Sequence, residues 1–181
     1  MRRRRPNTST EAEDSRAPLL TPEQIRSRTF QRAAKLLAAK PRSIAELRER
    51  LLERQGVTET LVAEVIARLK EYGYLDDERY ALSYASLKVK QRPIGRRRLQ
   101  QELKTKQVPN AIADEALDSV YAETPEEDLI DRAIEKRLRL RGRPKTRLEA
   151  KSLFDHLLRQ GFAFELVSEK VRRISKTDLE E

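Results

Sequence analysis

Residues 71–81 have the sequence EYGYLDDERYA, which is typical of a helix that ends beside another that begins. Gly73 suits the left-handed conformation that closes many helices, and Asp76 or Asp77 can accept hydrogen bonds from the free amides of a following helix. We expect Leu75, which lies between these two signals, to be buried where two structural units meet. The segment therefore predicts a junction that fixes the angle between helical units, and we place no ligand there.

On both sides of this junction, apolar residues recur at intervals of three and four, the pattern of a helix with one buried face. Three such helices are predicted before the junction, and the pattern then restarts twice, each time with three more helices. In the first helix after the junction, for example, the predicted apolar face consists of Tyr80, Ala81, Tyr84 and Leu87. The sequence therefore predicts an all-α protein.

Several helix starts carry a Ser or Thr followed three residues later by Glu or Gln. This is the capping box, in which two side chains and two backbone amides pair reciprocally. Pro22 and Pro125 are expected at the first helical position, where the missing N–H costs nothing. The predicted capping boxes are Thr21 with Gln24, Ser43 with Glu46, Thr124 with Glu127, and Thr146 with Glu149.

The turn between the second and third helix of each unit is an internal repeat, with the sequences QGV at 55–57, KQV at 106–108 and QGF at 160–162. A spacing of about 50 residues is typical of stacked helical arrays, in which each unit needs its neighbours for burial. Gln107 replaces the glycine of the other two turns and must adopt a left-handed conformation at some cost or use another turn. We predict three tandem three-helix repeats at residues 21–75, 76–123 and 124–176, after a disordered basic arm at residues 1–20.

The composition limits the class of protein further. Charged residues make up 38% of the 181 residues and aromatic residues only 5%, so several small cores are expected in place of one large core. The net charge of +9 predicts attraction to polyanions, of which nucleic acid comes first. Cysteine is absent, and no apolar stretch approaches the length of a membrane span. We expect a monomeric, cytoplasmic protein with no membrane partner.

Residues that could carry catalysis are scarce. The sequence contains no Gly-rich phosphate loop, no HExxH motif and no nucleophile elbow, and His156 is its single histidine. We expect His156, on an amphipathic helix, at the surface or its boundary, and acidic pairs such as Asp76 with Asp77 are explained by helix capping. The prediction is no enzymatic activity, no cofactor and no metal. The alternative, a helical metal-dependent nuclease, would need several acids to converge from different helices.

Basic residues form two clusters at equivalent places in the second and third predicted repeats. Guanidinium groups bind phosphate or carboxylate through planar, paired donors, and a line of them gives salt-sensitive affinity for polyanions. The alternative is a solvated face, but the charge is one-sided, since Glu102 is the single acid between Lys88 and Lys106. The predicted binding residues are Lys88, Lys90, Arg92, Arg96, Arg97, Arg98, Lys104, Arg137, Arg139, Arg141, Arg143 and Lys145.

The tyrosines could in principle stack on nucleic-acid bases, as aromatic residues do in proteins that bind single strands. Two of them fall on the apolar face of one predicted helix, and two others flank a glycine at a helix end. We therefore favour packing in the core or between repeats over base stacking. The residues concerned are Tyr72, Tyr74, Tyr80, Tyr84 and Tyr121.

The junction segment at 71–81 resembles the signature of the RecX family of bacterial recombination regulators. The segment SIAEL at 43–47, with Gly56 and Val57, is similar to that family's first repeat. Ile94-Gly95 and LQQELK at 99–104 are similar to its second repeat, and LLRQGF at 157–162 to its third. Gln107 and the arginine-rich arm depart from the family pattern.

This resemblance implies an elongated, curved array of three tandem three-helix repeats that acts on the RecA recombinase in the bacterial cytoplasm. RecX-like proteins bind in the groove of the RecA filament on single-stranded DNA. There they restrain strand exchange, ATP hydrolysis and co-protease activity in DNA repair and the SOS response, without being enzymes. The expected partners are the RecA filament and single-stranded DNA, with duplex DNA as a further candidate.

A second interpretation of the basic clusters is a transcriptional repressor that binds duplex DNA. Three short helices with a glycine turn resemble a helix-turn-helix, and the arginines at 96–98 lie at a predicted helix start from which they could enter a major groove. The two interpretations share the same basic residues and differ in what those residues contact.

Overall fold

The computed structural model describes residues 21–177, and every regular element within them is an α-helix. The predicted all-α class is therefore confirmed, whereas the predicted arm at residues 1–20 lies outside the described residues. The helices are α1 (Pro22–Ala39), α2 (Ile44–Leu52), α3 (Glu59–Glu71), α4 (Asp77–Gln91), α5 (Arg96–Thr105), α6 (Asn110–Glu123), α7 (Glu126–Arg141), α8 (Arg147–Arg159) and α9 (Phe164–Thr177).

The helices pack in consecutive groups of three. In the first group each of α1, α2 and α3 packs on the other two, α6 packs on α4 and α5 in the second, and α8 packs on α7 and α9 in the third. We call these groups unit 1 (α1–α3), unit 2 (α4–α6) and unit 3 (α7–α9).

Two of the predicted capping boxes are present in full. Thr21 pairs with Gln24 at the start of α1, and Thr146 pairs with Glu149 at the start of α8. Pro22 occupies the first helical position of α1, as predicted. These helix starts are determined locally, because each capping box needs only the residues of one turn.

The other two predicted capping boxes are not formed in full. Ser43 accepts a hydrogen bond from the Glu46 amide, but the Glu46 carboxylate accepts one from Lys106 of unit 2 instead of returning to the cap. The capping box at Thr124 is wrong, because Thr124 ends α6 and Pro125 takes the cap position of α7 without a side-chain hydrogen bond. The connection between α6 and α7 is too short to leave Thr124 for the second helix.

The repeated turns adopt the same left-handed conformation in all three units. Gly56 has φ +81° and Gly161 has φ +90°, and Gln107 reaches φ +56° despite its side chain. Gly73, before the junction, has φ +68°. The sequence prediction for these turns is therefore confirmed, and Gln107 takes the more costly of the two conformations that were left open.

The apolar side chains form two separate cores. Unit 1 has its own core, and Leu75 from the junction is 3% exposed within it, so the predicted burial is confirmed but lies inside unit 1 and not between two units. Units 2 and 3 share a single continuous core that runs from Tyr80 on α4 to Val171 on α9. Unit 1 is therefore the more independent part of the molecule.

Some predicted packing positions are exposed. Leu87 is 54% exposed, because it lies outside the centre of the buried face of α4, which is formed by Ala81 and Ala85. Tyr72 and Tyr74 are 52% and 66% exposed, so the prediction that they pack in the core or between repeats is wrong for both. Their rings instead contact each other edge to face at the surface, 6.2 Å apart.

Candidate functional site

The first turn of α5 carries three of the predicted binding arginines and is docked against unit 3. The backbone N–H of Gly95 donates to the Gln160 carbonyl at 2.9 Å, and that of Arg97 donates to the Gly161 carbonyl at 3.1 Å. The Arg96 amide donates to the Glu126 carboxylate at 3.0 Å. The free amides of this helix start are thus satisfied by the next unit, which explains why α5 has no capping side chain of its own.

The same joint recurs between units 1 and 2. At the start of α2, the Ile44 amide donates to the Asp77 carboxylate at 2.9 Å, and the Ser43 hydroxyl donates to the Lys106 carbonyl at 2.5 Å. Asp77 and Glu126 are therefore equivalent: each lies at the first turn of one unit and caps the middle helix of the unit before it. Burial raises the pKa of both carboxyl groups, and the hydrogen bond from the capped amide opposes that effect.

The joint between units 2 and 3 is close enough to require glycine on both sides. A Cβ on Gly95 would lie 2.2 Å from the Gly161 backbone, and a Cβ on Gly161 would lie 2.4 Å from the Arg98 backbone nitrogen. Arg98 also donates from its guanidinium to the Arg159 carbonyl at 3.0 Å. Part of the first basic cluster therefore has a structural role.

Glu102 gathers several residues of the first cluster around one carboxylate. It accepts hydrogen bonds from Arg92 at 2.9 Å, from the Tyr84 hydroxyl at 2.8 Å and from Arg98 at 3.4 Å, and Lys88 lies 3.8 Å away. Burial alone would raise the pKa of Glu102, but the Tyr84 hydroxyl and the surrounding cations outweigh burial and lower it. Glu102 thus holds three predicted binding cations in fixed positions and offsets part of their charge.

The remaining residues of the first cluster differ in whether their side chains have a partner within the described residues. Arg96 forms an ion pair with Asp118 at 2.7 Å. Lys90, Arg97 and Lys104 are exposed, and within residues 21–177 their side chains form neither a hydrogen bond nor an ion pair. Among the described residues of the first cluster, these side chains are the most available to a partner, although the charge of Arg97 also acts on the Glu126 carboxyl group.

The second cluster lies at the C-terminal end of α7 and in the connection to α8. Arg139 and Arg141 are exposed and form no ion pair with any residue that the structure describes. Arg137, Arg141 and Arg143 line a cleft of about 210 Å³ beside the start of α8. The side chain of Lys145 has no partner among residues 21–177, whereas its backbone N–H donates to Glu149 at 2.6 Å.

The two clusters lie at opposite ends of α8. The first reaches the C-terminal end of this helix through Arg98 and the Arg159 carbonyl, and the second precedes its N-terminal end. A helix of 13 residues is about 20 Å long, so the connection before α8 lies roughly that far from Arg159, whereas Arg137 of the second cluster lies beside the middle of α8. His156 lies between them, half-buried, and burial together with Arg137 and Arg159 lowers its pKa.

Sequence reasoning missed a groove of about 860 Å³ between units 1 and 2. One side of this groove is lined by Lys40 and Arg42, which lie in the connection between α1 and α2. The other side is lined by Tyr74 of the junction segment and by residues of α4, among them Arg79. These cations are scattered in the sequence, so no local cluster marks them. The exposed tyrosine in the junction segment was the one available signal.

The described residues were searched for groups that could bind a metal ion and for helices that could cross a membrane. Residues 21–177 hold no group of three or more histidine, cysteine, aspartate or glutamate side chains arranged to bind a metal ion. Among the helices of this described range, none combines the length and the apolar character needed to cross a membrane.

Comparison with known proteins gives consistent matches. The model of the first RecX three-helix domain matches residues 30–69, and that of the second matches residues 76–117. The regulatory protein RecX of Chlorobaculum tepidum is 32% identical over 153 residues, which cover 84% of this chain and 91% of that protein. The regulatory protein RecX of Treponema pallidum strain Nichols is 41% identical over 110 residues, or 61% of this chain and 66% of that protein.

Other relatives are longer. The regulatory protein RecX of Bacillus licheniformis is 30% identical over 151 residues, which cover 83% of this chain but only 56% of that protein. Among solved structures, RecX from Lactobacillus salivarius superposes with a TM-score of 0.74 at 19% identity and covers 86% of this chain and 99% of its own. That likeness concerns the fold.

Proposed function

Because the chain belongs to the RecX family of regulatory proteins, we propose that it regulates the RecA recombinase, mainly as an inhibitor. In this proposal the protein binds in the groove of the RecA filament on single-stranded DNA and restrains strand exchange, ATP hydrolysis and co-protease activity. It acts as a cytoplasmic monomer without catalysis of its own. In the same proposal the chain consists of three repeats, at residues 21–75, 76–123 and 124–176.

The observation that carries this proposal is the exposed basic surface at the end of α7. Arg139 and Arg141 have no ion-pair partner among the described residues, and the adjacent Leu140 is 72% exposed. An apolar side chain between free guanidinium groups suits a protein surface with acidic residues as well as DNA phosphate. A nucleoprotein filament offers both kinds of contact.

The alternative of a duplex-binding repressor has weaker support. A helix-turn-helix reads bases with the first turn of its recognition helix. In unit 2 that turn is occupied, because the amides of Gly95, Arg96 and Arg97 all donate to unit 3. A major groove could not approach α5 end-on without separating the two units.

The test is RecA-driven ATP hydrolysis on single-stranded DNA, measured with equimolar protein across a salt series. We expect the wild-type protein to slow hydrolysis and the double substitution Arg139→Glu and Arg141→Glu to weaken this inhibition about tenfold or more, because both cations then repel the partner's acidic groups. The matched control is Lys151→Glu with Arg172→Glu, which makes the same charge change at exposed residues without ion pairs in the described range.

Two results would contradict the proposal. One is wild-type protein that leaves RecA hydrolysis unchanged while it binds a particular duplex far more tightly than random DNA. The other is an equal loss of inhibition in the test and control variants, which would mean that net charge alone matters. Arg96 and Arg98 are avoided in this test, because the Arg96 side chain pairs with Asp118 inside unit 2 and the Arg98 side chain binds the Arg159 carbonyl across the joint between units 2 and 3.

A further inference from the structure

The groove between units 1 and 2 combines exposed aromatic and apolar side chains with cations that the proposed regulatory surface does not use. Tyr74 is 66% exposed at its edge, and Leu87 is 54% exposed in its wall. Surface side chains of this size are individually unremarkable, but both line one groove of about 860 Å³. A recess that contains them is a candidate for binding a planar, partly apolar ligand.

The aromatic side chains of α4 that line this groove are fixed by contacts with neighbouring residues. The rings of Tyr80 and Tyr84 stack with centroids 6.0 Å apart, and the Tyr84 hydroxyl donates to Glu102 at 2.8 Å. The ammonium of Lys88 lies over the Tyr84 ring, 5.1 Å from its centroid. Tyr74 is positioned by its edge-to-face contact with Tyr72. A ligand that enters the groove therefore meets Tyr80 and Tyr84 in positions that need little reorganisation.

Cations surround the aromatic residues and outnumber the acids. Lys40, Arg42 and Arg79 line the groove together with Lys88. The Nε atom of Arg42 is buried and has no hydrogen-bond partner among the described residues. The single acid of the groove lining, Asp76, already accepts a hydrogen bond from the Arg79 amide at 3.0 Å, because it caps α4. The groove therefore favours a polyanionic ligand.

We propose that this groove binds single-stranded nucleic acid, with a base stacked on Tyr74 and the neighbouring phosphates against Arg42 and Arg79. Exposed aromatic rings beside basic side chains are the combination by which proteins bind single strands without sequence preference. A duplex cannot use the site in the same way, since its bases are stacked inside the helix. The inference rests on the proposed function for the choice of DNA over RNA, and its test needs no RecA.

This groove also adjoins the first basic cluster. Glu102 lines the cleft between units 2 and 3 together with Arg97 and Arg98, and it binds Tyr84, which lines the groove between units 1 and 2. A strand that lies on Tyr74 could therefore continue towards Arg97.

The test is fluorescence anisotropy with a labelled oligothymidylate and a labelled duplex, using the full chain. We expect Tyr74→Ala to weaken single-strand binding about 5-fold or more, since one base loses its stacking partner. Tyr74→Phe keeps the ring and should stay within about twofold of wild type. Leu148→Ala is the matched control, because Leu148 is 79% exposed on α8, away from the groove. Circular dichroism verifies that each variant is folded.

Binding of the oligothymidylate by Tyr74→Ala at wild-type affinity would overturn the inference. An equal loss for the duplex and the single strand would overturn it as well, because stacking would then not be the cause. Loss of filament inhibition in Tyr74→Ala with intact single-strand binding would assign the groove to a protein contact instead. If the wild-type protein fails to inhibit RecA while Tyr74→Ala still loses single-strand binding, the groove inference stands and the regulatory proposal falls.

Discussion

Glu46 shows how one side chain joins two units. Its carboxylate accepts a hydrogen bond from the Lys106 ammonium at 2.8 Å, and both side chains are about four-fifths buried. Burial alone would raise the pKa of Glu46 above its ordinary value of 4.5, but the hydrogen bond and charge of Lys106 lower it. The charged form of Glu46 is thus stabilised in the folded protein.

We therefore expect Glu46→Gln to lower the free energy of unfolding by about 1 kcal/mol at pH 7. Because the folded pKa is depressed, the stabilisation by Glu46 is present above the unfolded pKa and is lost as the pH falls through the folded pKa. The difference between wild type and variant should accordingly shrink below about pH 4 in urea unfolding measured across pH. Glu53→Gln, in the exposed pair with Arg50, is the control and should change stability little. A pH-independent difference would rule out this role of the charge.

The arginines at 96–98 show the limit of prediction at the scale of single residues. The sequence places them together as one basic run, and it distinguishes only Arg98, which has the acid Glu102 four positions later. In the structure Arg96 pairs with Asp118 and Arg98 binds the Arg159 carbonyl, whereas the Arg97 side chain forms no hydrogen bond or ion pair with a described residue. Those partners lie more than 20 positions away along the chain, so neither helical spacing nor local charge could reveal them.

At the scale of elements, local signals predicted most of the fold. The capping boxes at Thr21 and Thr146 and the left-handed turns were predictable, because a single turn of backbone determines each of them. The failures at Ser43 and Thr124 have one cause: a neighbouring helix or unit competes for the group that the local motif would use. The end of a helix can therefore be predicted from the sequence where residues of that same helix cap it, and not where another helix or unit takes part.

The repeated turn allows a matched test of the joint between units. Gly56 and Gly161 both have positive φ, but a Cβ on Gly56 would meet nothing within 4 Å, whereas a Cβ on Gly161 would meet the Arg98 backbone nitrogen at 2.4 Å. We expect Gly56→Ala to cost about 1 kcal/mol for the left-handed backbone alone. Gly161→Ala should cost about 2 kcal/mol more, because α5 must also move away.

Thermal and urea unfolding of the two variants measure this difference directly. The amides of Gly95 and Arg97 provide a second readout, because they donate to the turn that Gly161→Ala displaces. Their hydrogen exchange should accelerate in Gly161→Ala and stay unchanged in Gly56→Ala. Equal destabilisation by both substitutions would mean that backbone conformation alone requires these glycines.

At the scale of the whole molecule, the three middle helices differ in what caps their first amides. The middle helix of unit 1 and that of unit 2 each have their first amides capped by the following unit, through Asp77 and Glu126. In unit 3 the equivalent helix start is closed by its own capping box, Thr146 with Glu149. The start of α8 therefore does not depend on another unit for its cap.

The two joints differ in strength, which predicts where the molecule opens first. Units 2 and 3 share one continuous apolar core, whereas unit 1 has a separate core. Unit 1 is joined to unit 2 through polar contacts, among them Ser43 with the Lys106 carbonyl and Gln107 with Glu49. Apolar burial contributes more to cooperativity than a few partly solvated hydrogen bonds do. Unit 1 should therefore unfold locally while units 2 and 3 remain folded.

Native-state hydrogen exchange at increasing urea concentrations tests this prediction. We expect the amides of buried Leu47 and Val65 in unit 1 to exchange through an opening of lower free energy and smaller urea dependence than those of Leu103 and Leu117 in unit 2. Glu49→Ala removes a contact across the joint and should accelerate exchange in unit 1 alone. Gln100→Ala, which removes a hydrogen bond to Asp114 inside unit 2, should leave unit 1 unchanged. One common opening for both regions would show instead that the polar joint couples the units as tightly as a shared core.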